Sequence, residues 1–221
     1  MRRSLPVLIL LAILCSLLQA QQGPPNEPGP FRPTDLVEII RLDPTIRLDI
    51  RYATRNNFLG RPVYKQARAF LQRPAAGALV RVNARLRKQG YGLVVFDGYR
   101  PWDVTKVFWD STPLEKREFV ADPSKGSRHN RGCAVDLTMF NLTTGRQVAM
   151  PGEYDEMTER SHINYQCATP EAKRLRDTLR AAMEIEGFMV YEPEWWHYDY
   201  KDWREYPIGN LSFKEVDRAS R

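Results

Sequence analysis

The 221-residue sequence has only three histidines and three cysteines, and no apolar run long enough to cross a membrane comfortably. Its longest such run, residues 5–18, has 14 residues, whereas a membrane-spanning helix needs about 20. Internal repeats and blocks of five or six like charges are also missing. These absences argue against a multi-span membrane protein, a repeat protein and a protein with a basic nucleic-acid-binding tail.

The remaining composition is that of a globular domain. Hydrophobic residues make up 43% of the chain and charged residues 27%, which is enough apolar material for a core without disulfide or metal staples. The formal net charge is +6, but the basic residues are spread along the chain. One cluster, Arg81, Arg85, Arg87 and Lys88, falls on the solvent face of a predicted helix. The charge therefore predicts no nucleic-acid partner.

The first 20 residues have the pattern of an export signal. A short basic start precedes the apolar run, and a small residue, Ala20, follows it. Removing this segment takes away two arginines and leaves the protein periplasmic or extracellular, without stable membrane insertion. Leu18 stands where a cleavage site usually has a small residue, so an uncleaved membrane anchor remains the alternative.

A proline-rich arm separates this signal from the domain. Residues 21–34 hold five prolines and two glycines without apolar periodicity, which predicts an extended or disordered segment. The domain is predicted to span residues 35–221. Because the arm lacks the apolar spacing of a packed element, it is excluded from the predicted core.

Strands and helices are mixed along the domain without regular alternation. Apolar patterns and turn residues predict strands over 36–42, 46–52, 92–96, 133–140 and 188–200, the last interrupted at Pro193. Helices are predicted over 74–89 and from Pro170, with Thr169 as its N-cap, to a stop at Gly187. This order predicts an α+β fold rather than a doubly wound sheet. We expect a single compact domain, with a small, mainly antiparallel sheet and flanking helices.

Two of the three histidines lie in short polar segments that also contain carboxylates. Residues 127–136 read SRHNRGCAVD, and residues 194–197 read EWWH. Two imidazoles and one carboxylate are a suitable ligand set for zinc and leave a fourth position for water. Zinc lowers the pKa of such a water toward about 7, and the glutamate three residues before the second histidine is a candidate to take its proton. We therefore expect a zinc site in a cleft of the domain.

These two patterns, S-x-H-x-x-G-x-A-x-D and E-x-W-H, resemble those of the LAS-type zinc peptidases of family M15. That group includes D-alanyl-D-alanine dipeptidases, D,D-carboxypeptidases and cell-wall endopeptidases. Three further segments are similar to the VanX-type dipeptidase branch: residues 51–60 (RYATRNNFLG), 98–101 (GYRP) and 154–162 (YDEMTERSH). The resemblance extends over residues 36–205 and therefore covers the domain.

The resemblance implies one zinc ion per chain, bound by His129, Asp136 and His197. It implies that Glu194 is the general base toward the attacking water and then the proton donor to the leaving amine. Arg100 would stabilise the oxyanion that develops during the reaction.

Three further side chains are implied to hold the substrate. Ser127 would help to bind the substrate carboxylate, while Tyr52 and Asp155 would capture the free ammonium of a dipeptide. A buried carboxylate without a cation is costly, so longer or acylated peptides would be penalised at Asp155. This role separates a dipeptidase from an endopeptidase.

The orientation of Glu194 is open at this point. In a regular strand, residues three positions apart face opposite sides, so Glu194 and His197 could not share a site. A break near Pro193 would turn Glu194 toward the metal, whereas an uninterrupted strand would not.

The cysteines and the third histidine receive non-catalytic interpretations. Cys133 has the opposite strand parity to Asp136, which predicts packing or a disulfide rather than metal binding. Cys133 and Cys167 would both be exported and could pair, but the sequence does not fix the distance between them. His162 is predicted to be structural.

Three functional hypotheses follow. The leading one is a zinc D,D-dipeptidase that cleaves D-alanyl-D-alanine, a small-molecule substrate, in cell-wall turnover or dipeptide scavenging outside the cytoplasm. The second is a D,D-carboxypeptidase acting on peptidoglycan stem peptides. The third is a non-catalytic zinc-binding or cell-wall-binding module, against which the presence of Glu194 and Arg100 argues, because metal binding alone requires neither.

Overall fold

The computed structural model describes residues 23–166 and 169–219. The helices are α1 (Ile39–Leu42), α2 (Arg73–Arg87), α3 (Trp102–Ser111), α4 (Pro170–Ile185) and α5 (Phe213–Ala219). The strands are β1 (Leu36–Glu38), β2 (Arg47–Leu48), β3 (Phe70–Gln72), β4 (Tyr91–Asp97), β5 (Ala134–Asn141), β6 (Phe188–Tyr191) and β7 (Glu194–Tyr200). Short 3-10 turns include Arg51–Ala53, His129–Arg131 and Trp203–Glu205.

A five-stranded sheet organises the domain, in the order β2-β4-β5-β7-β6. The β2–β4 pair is parallel and the other pairs are antiparallel, while β1 and β3 form a separate antiparallel pair. In this register Asp136 of β5 lies opposite Asp97 of β4 on one side and opposite His197 of β7 on the other. The predicted α+β fold with a mainly antiparallel sheet is confirmed.

The two long helices form where the apolar spacing predicts them. In α2, Leu79, Val82 and Leu86 are fully buried in the main core. The first turn of α4 is capped as predicted, because the Thr169 side chain accepts a hydrogen bond from the backbone N–H of Ala172. The helices thus support the sheet by burying one apolar stripe each.

The predicted strands over 36–42 and 46–52 are wrong in their second halves. β1 ends at Glu38 because its partner, β3, is only three residues long, and the chain continues as the single turn α1. β2 is two residues long, and Tyr52 lies in a 3-10 turn. The predicted strand over 188–200 is instead the hairpin of β6 and β7, with Pro193 in its turn.

The described part of the arm, residues 23–34, contains no helix or strand. The Arg32 N–H donates to the carbonyl of Glu205 at 2.7 Å, and the Arg32 side chain pairs with the Glu205 carboxylate. The export signal and Cys167 lie outside the described residues, so both remain predictions. No helix in residues 23–166 and 169–219 is long and apolar enough to cross a membrane.

Gly98, directly after β4, is required by a close approach of two backbones. A Cβ at this position would lie 2.7 Å from the carbonyl oxygen of Phe70 in β3. We predict that Gly98→Ala lowers the free energy of unfolding by about 1–3 kcal/mol, since backbone atoms cannot move aside cheaply. Gly77→Ala is the matched control: its Cβ would only touch the Arg81 side chain at 3.8 Å, so we expect a gain of about 0.5–1 kcal/mol in helix α2. Urea unfolding measures both, and equal midpoints for the two variants would contradict this account.

Candidate active site

All eight side chains assigned to the site from the sequence line one cavity of about 320 Å³. They come from separate parts of the chain and are Tyr52, Arg100, Ser127, His129, Asp136, Asp155, Glu194 and His197. Aromatic side chains form much of the remaining wall, among them Phe58, Phe108, Tyr191, Trp196 and Trp203. A polar centre with apolar walls is the usual character of a small-molecule site.

Three potential metal ligands converge at the centre of the cavity. His129 Nε2 lies 3.3 Å from Asp136 Oδ1, His197 Nδ1 lies 3.1 Å from the same oxygen, and the two imidazole nitrogens are 3.1 Å apart. All three side chains are buried. The ligand atoms lie within 4.8 Å of one another, which is close enough for one ion to contact all three.

Hydrogen bonds on the outer side of each imidazole fix which ring nitrogen carries the hydrogen. The other ring nitrogen then presents its lone pair to the centre of the cavity. The carbonyl of Gly98 can only accept, so His129 donates to it from Nδ1 at 2.8 Å. The Asp199 carboxylate likewise accepts from His197 Nε2 at 2.9 Å. In their neutral forms both rings therefore present unprotonated nitrogens to Asp136.

This arrangement fits a cation. Asp136 Oδ1 is buried without a hydrogen bond among the described residues, while Oδ2 accepts one from Tyr154 at 3.0 Å. Burial lowers the pKa of His197, but Asp199 and Asp136 outweigh it and raise the pKa to about 10. The carboxylates around His197 therefore favour the binding of a positive charge at this position. That charge is either a proton on the imidazole or a metal ion that takes the place of the proton.

Glu194 faces the same centre, and a strand irregularity explains how. Val190 pairs with Tyr198, and the next residue of β6, Tyr191, pairs with Glu194. One residue along β6 therefore corresponds to four residues along β7. Such a bulge breaks the alternation of sides, so Glu194 Oε2 lies 3.6 Å from His197 Nδ1. Burial raises the pKa of Glu194 to about 7, which suits proton exchange near neutral pH.

Arg100 is fixed by a carboxylate that the sequence reasoning missed. Its Nε and Nη2 both lie 2.9 Å from Asp97 Oδ2, and its guanidinium packs over the Phe108 ring. Arg100 Nη2 is also 3.9 Å from Asp136 Oδ2. Asp97 itself accepts from the hydroxyl of Tyr64 at 2.9 Å, so both partners are held within a buried network.

Tyr52 and Asp155 form the pair expected from the resemblance. The Tyr52 hydroxyl donates to Asp155 Oδ2 at 2.8 Å. Asp155 adopts a left-handed backbone conformation (φ 59°), which is uncommon for a residue other than glycine and directs its carboxylate into the cavity wall. Burial raises the pKa of Asp155 to about 8, so this carboxyl group lacks a full counter-charge from the protein.

Ser127 lies at the start of the turn that carries His129. Its backbone N–H donates to Asn130 Oδ1 at 2.7 Å, and its hydroxyl oxygen accepts from the His129 N–H at 3.2 Å. The hydroxyl hydrogen is left free to rotate toward the cavity that Ser127 lines.

The structure separates the remaining candidates from this centre. His162 is exposed and does not line the cavity. Cys133 is fully buried in the main core, as the parity argument predicts. Cys167, its predicted disulfide partner, lies outside the described residues.

Three functional positions were missed by sequence reasoning: Asp97, Arg128 and Asp199. Asp199 stands two residues after His197 on the same strand, so strand parity could have placed both on one face. Asp97 stands three residues before Arg100, in a segment whose loop geometry is not readable from spacing. Arg128 lies beside His129 and lines the cavity.

Comparison with known proteins identifies the family. Residues 32–214 match the peptidase M15 family, D-ala-D-ala dipeptidase. The chain belongs to this family.

Individual M15 relatives agree with the family match over most of the chain. The D-alanyl-D-alanine dipeptidase of Escherichia coli K12 is 34% identical over 175 residues, which cover 79% of this chain and 89% of the relative. That of Enterococcus faecium is 35% identical and covers 76% and 92%. That of Streptomyces coelicolor is 36% identical and covers 71% and 87%. This M15 protein is therefore a metallopeptidase whose His-Asp-His cluster can hold the metal.

The hydrogen bond behind His197 yields a test of that cluster. We predict that Asp199→Asn weakens Zn²⁺ binding by about 10–100-fold, because an outer carboxylate fixes the ring and raises its basicity. Chelator competition measures the affinity. Asp177→Asn, which changes an aspartate that is 52% exposed and distant from the cavity, is the control and should bind Zn²⁺ like the unchanged protein. Equal affinities for both variants would remove Asp199 from this role.

Proposed function

We propose that this protein is a zinc dipeptidase that hydrolyses D-alanyl-D-alanine to two D-alanines. One observation carries the proposal: a single cavity of about 320 Å³ holds the metal cluster, a proton-accepting glutamate and groups of both charges for the two ends of a free dipeptide. The family and its dipeptidase relatives support the same substrate.

The donor set favours zinc. Two imidazole nitrogens and one carboxylate oxygen match the nitrogen and oxygen ligands that catalytic zinc sites use with three protein ligands. When bound, zinc supplies Lewis acidity, which polarises the scissile carbonyl and makes a water molecule acidic enough to ionise near neutral pH.

Glu194 is the proposed proton carrier. Its carboxylate lies beside the ligand nitrogen of His197, and burial holds its pKa near 7. It therefore takes the proton of the attacking water and passes it to the nitrogen of the leaving D-alanine as the peptide bond breaks. The same group acts first as base and then as acid, so no second titrating side chain is needed.

Arg100 is placed to stabilise negative charge on the carbonyl oxygen. Arg100 is 7% exposed, its guanidinium is held by Asp97, and its Nη2 lies 3.9 Å from Asp136 Oδ2. Because it is already desolvated and oriented, it loses little freedom when charge develops.

The ammonium end of the dipeptide is assigned to Asp155 and Tyr52. Burial raises the pKa of Asp155 to about 8, which favours the neutral acid near pH 7. An arriving ammonium supplies the missing counter-charge, so the ionised carboxylate is restored on binding. An acylated amine carries no such charge.

The carboxylate end is assigned to Ser127 together with Arg128. A hydroxyl alone does not neutralise a carboxylate that leaves water, so a cation is needed beside it. Arg128 Nε lies 3.2 Å from Asp199, and among the described residues its Nη1 and Nη2 groups donate no hydrogen bond. Its guanidinium stands near the Tyr191 ring and is 37% exposed in the cavity.

Other cations of the cavity wall are less suitable. Lys125 is 82% exposed, Arg100 is held by Asp97, and Arg131 is paired with Glu27. Arg128 is therefore the proposed carboxylate partner, with the planar fork that binds carboxylates in two-point contacts.

A D,D-carboxypeptidase would use the same centre on N-acylated stem peptides, but it would gain nothing from an unneutralised Asp155. A non-catalytic module would not require Glu194 or Arg100 in the cavity. Comparing hydrolysis of D-alanyl-D-alanine with that of its N-acetyl derivative separates these functions. Equal turnover of both favours the carboxypeptidase, and turnover of neither by the zinc-loaded protein favours the module.

We propose further that the enzyme works outside the cytoplasm, in scavenging or cell-wall turnover. The basic and apolar start of the chain supports export. An exported dipeptidase meets only dipeptide that has left the cytoplasm, so it cannot remove cell-wall precursors before their use. Cell fractionation tests this proposal, and activity confined to the cytoplasm would contradict it.

Replacing the proton carrier tests the chemistry. We predict that Glu194→Gln keeps its zinc, because the three ligands are unchanged, and lowers kcat by about 10²–10⁴-fold, the usual contribution of general acid–base catalysis. Glu118→Gln removes another carboxylate of the same cavity wall and is the control, with kcat little changed. Zinc content and steady-state kinetics are measured together, and substantial turnover in Glu194→Gln excludes this role.

The two charged ends are tested by pairing variants with blocked substrates. We predict that Asp155→Asn lowers kcat/KM for the free dipeptide by about 10–100-fold, as for a lost charged hydrogen bond, and spares the N-acetyl derivative. Arg128→Gln should show a similar loss for the free dipeptide and spare its C-terminal amide. Asp155→Asn should still cleave the C-terminal amide more slowly than the free dipeptide. Arg128→Gln should still cleave the N-acetyl derivative more slowly than the free dipeptide. If either variant slows all three substrates equally, its residue does not recognise that end.

A further inference from the structure

The arm before the domain contacts the active-site wall through Glu27. Its carboxylate pairs with Arg131 Nη2, and its other oxygen accepts from the backbone N–H of Ile208 at 3.3 Å. The Glu27 side chain is 24% exposed, so much of this contact is shielded from water. One arm residue thus joins two distant segments of the domain.

The first of these segments is the turn that carries His129. Arg131 is 7% exposed and lines the catalytic cavity. Its Nη1 donates to the Tyr206 carbonyl at 2.6 Å, and its own carbonyl accepts from Gln72 Nε2 at 2.9 Å. Arg131 therefore fixes the end of the turn, and Glu27 is the carboxylate that pairs with its guanidinium.

The second segment packs against the same turn from the other side. The Gly209 N–H donates to the carbonyl of Asn130 at 2.9 Å. The Ile208 side chain fills the space beside Gly126, where a Cβ would lie 2.3 Å from Ile208 Cδ1. The loop 126–131, which carries Ser127 and His129, is thus packed against the segment at Ile208, and Glu27 connects the two.

The arm also borders the catalytic cavity. A neighbouring cavity of about 450 Å³ is lined on one side by the arm and shares Lys125, Arg131 and Trp203 with the catalytic one. Glu27 precedes residues 32–214, over which the chain matches its family. The contact therefore supports the wall residue Arg131 from a segment that the family match does not include.

We propose that Glu27 is a positioning residue, and that the arm is a working part of the enzyme rather than a spacer. By neutralising Arg131 and tying Ile208 to it, Glu27 holds the loop 126–131 in the conformation that presents His129 to the metal and Ser127 to the substrate. This inference rests on the proposed function for the roles of those two residues.

The test compares two carboxylates that each bind the arm to the domain. Glu27→Gln keeps the shape and removes the charge that faces Arg131. Glu205→Gln removes the partner of Arg32, whose contact lies away from the cavity, and is the matched control. Zn²⁺ affinity is measured by chelator competition, and KM and kcat with D-alanyl-D-alanine; thermal unfolding monitors the fold of both variants.

We expect Glu27→Gln to weaken Zn²⁺ binding by up to about tenfold, which is the lower limit of the effect of replacing groups that support metal ligands. We also expect KM to rise while kcat changes little. Glu205→Gln should change only the melting temperature. If both variants lower the melting temperature equally and neither changes Zn²⁺ affinity or KM, Glu27 merely stabilises the fold and the proposal is wrong.

The double variant Glu27→Gln/Arg131→Gln supplies a second measurement if the single variant folds poorly. Removing both charges should restore the melting temperature but not the Zn²⁺ affinity, because the loop still lacks its tie. Restoration of both would overturn the positioning role. Since Zn²⁺ affinity needs no turnover, failure of the dipeptidase proposal shows itself separately, as zinc-loaded protein that does not cleave the dipeptide.

Discussion

The central constraint of this molecule is the register of one strand. β5 places Asp136 directly between Asp97 and His197 on its two neighbours, deep in the sheet. Two carboxylates in adjacent buried strands repel each other and lose hydration, so positive charge must be supplied on both sides. Arg100 supplies it at Asp97, and the imidazole cluster with its cation supplies it at Asp136. Arg100 and the metal cluster thus also neutralise the two carboxylates that the fold buries.

A common device holds these groups in place. Asp97 grips Arg100, and Asp199 grips His197, each from the side away from the cavity. Such backing carboxylates reduce the reorganisation required when charge moves during hydrolysis. The open side of the cavity remains available for the substrate, because Asp97 and Asp199 hold Arg100 and His197 from the opposite side. Dipeptide recognition then depends on groups that the fold leaves incompletely neutralised, chiefly Asp155.

Local patterns predicted local structure well. Helices α2 and α4 followed from apolar spacing and a capping threonine, because both signals act within a few residues. The short ends of β1 and β2 could not be foreseen, since their lengths depend on partner strands far along the chain. The two histidine segments pointed to the metal ligands and to Glu194, whereas Tyr52, Arg100, Ser127 and Asp155 were found through family resemblance. Asp97 escaped because its function depends on a loop conformation, whereas Asp199 had a readable parity signal. Helix α3 lies between prolines and is too brief for a clear period.

The irregular pairing of β6 and β7 has a consequence for variation among related sequences. Three residues, 195–197, are accommodated against a single step of the neighbouring strand. Lengthening or shortening this stretch by one residue would change the irregular pairing that turns Glu194 toward His197. The number of residues between Glu194 and His197 is therefore constrained by the pairing of β6 with β7. Trp195 and Trp196 within it are both buried, so the volume that they fill is a separate constraint on this stretch.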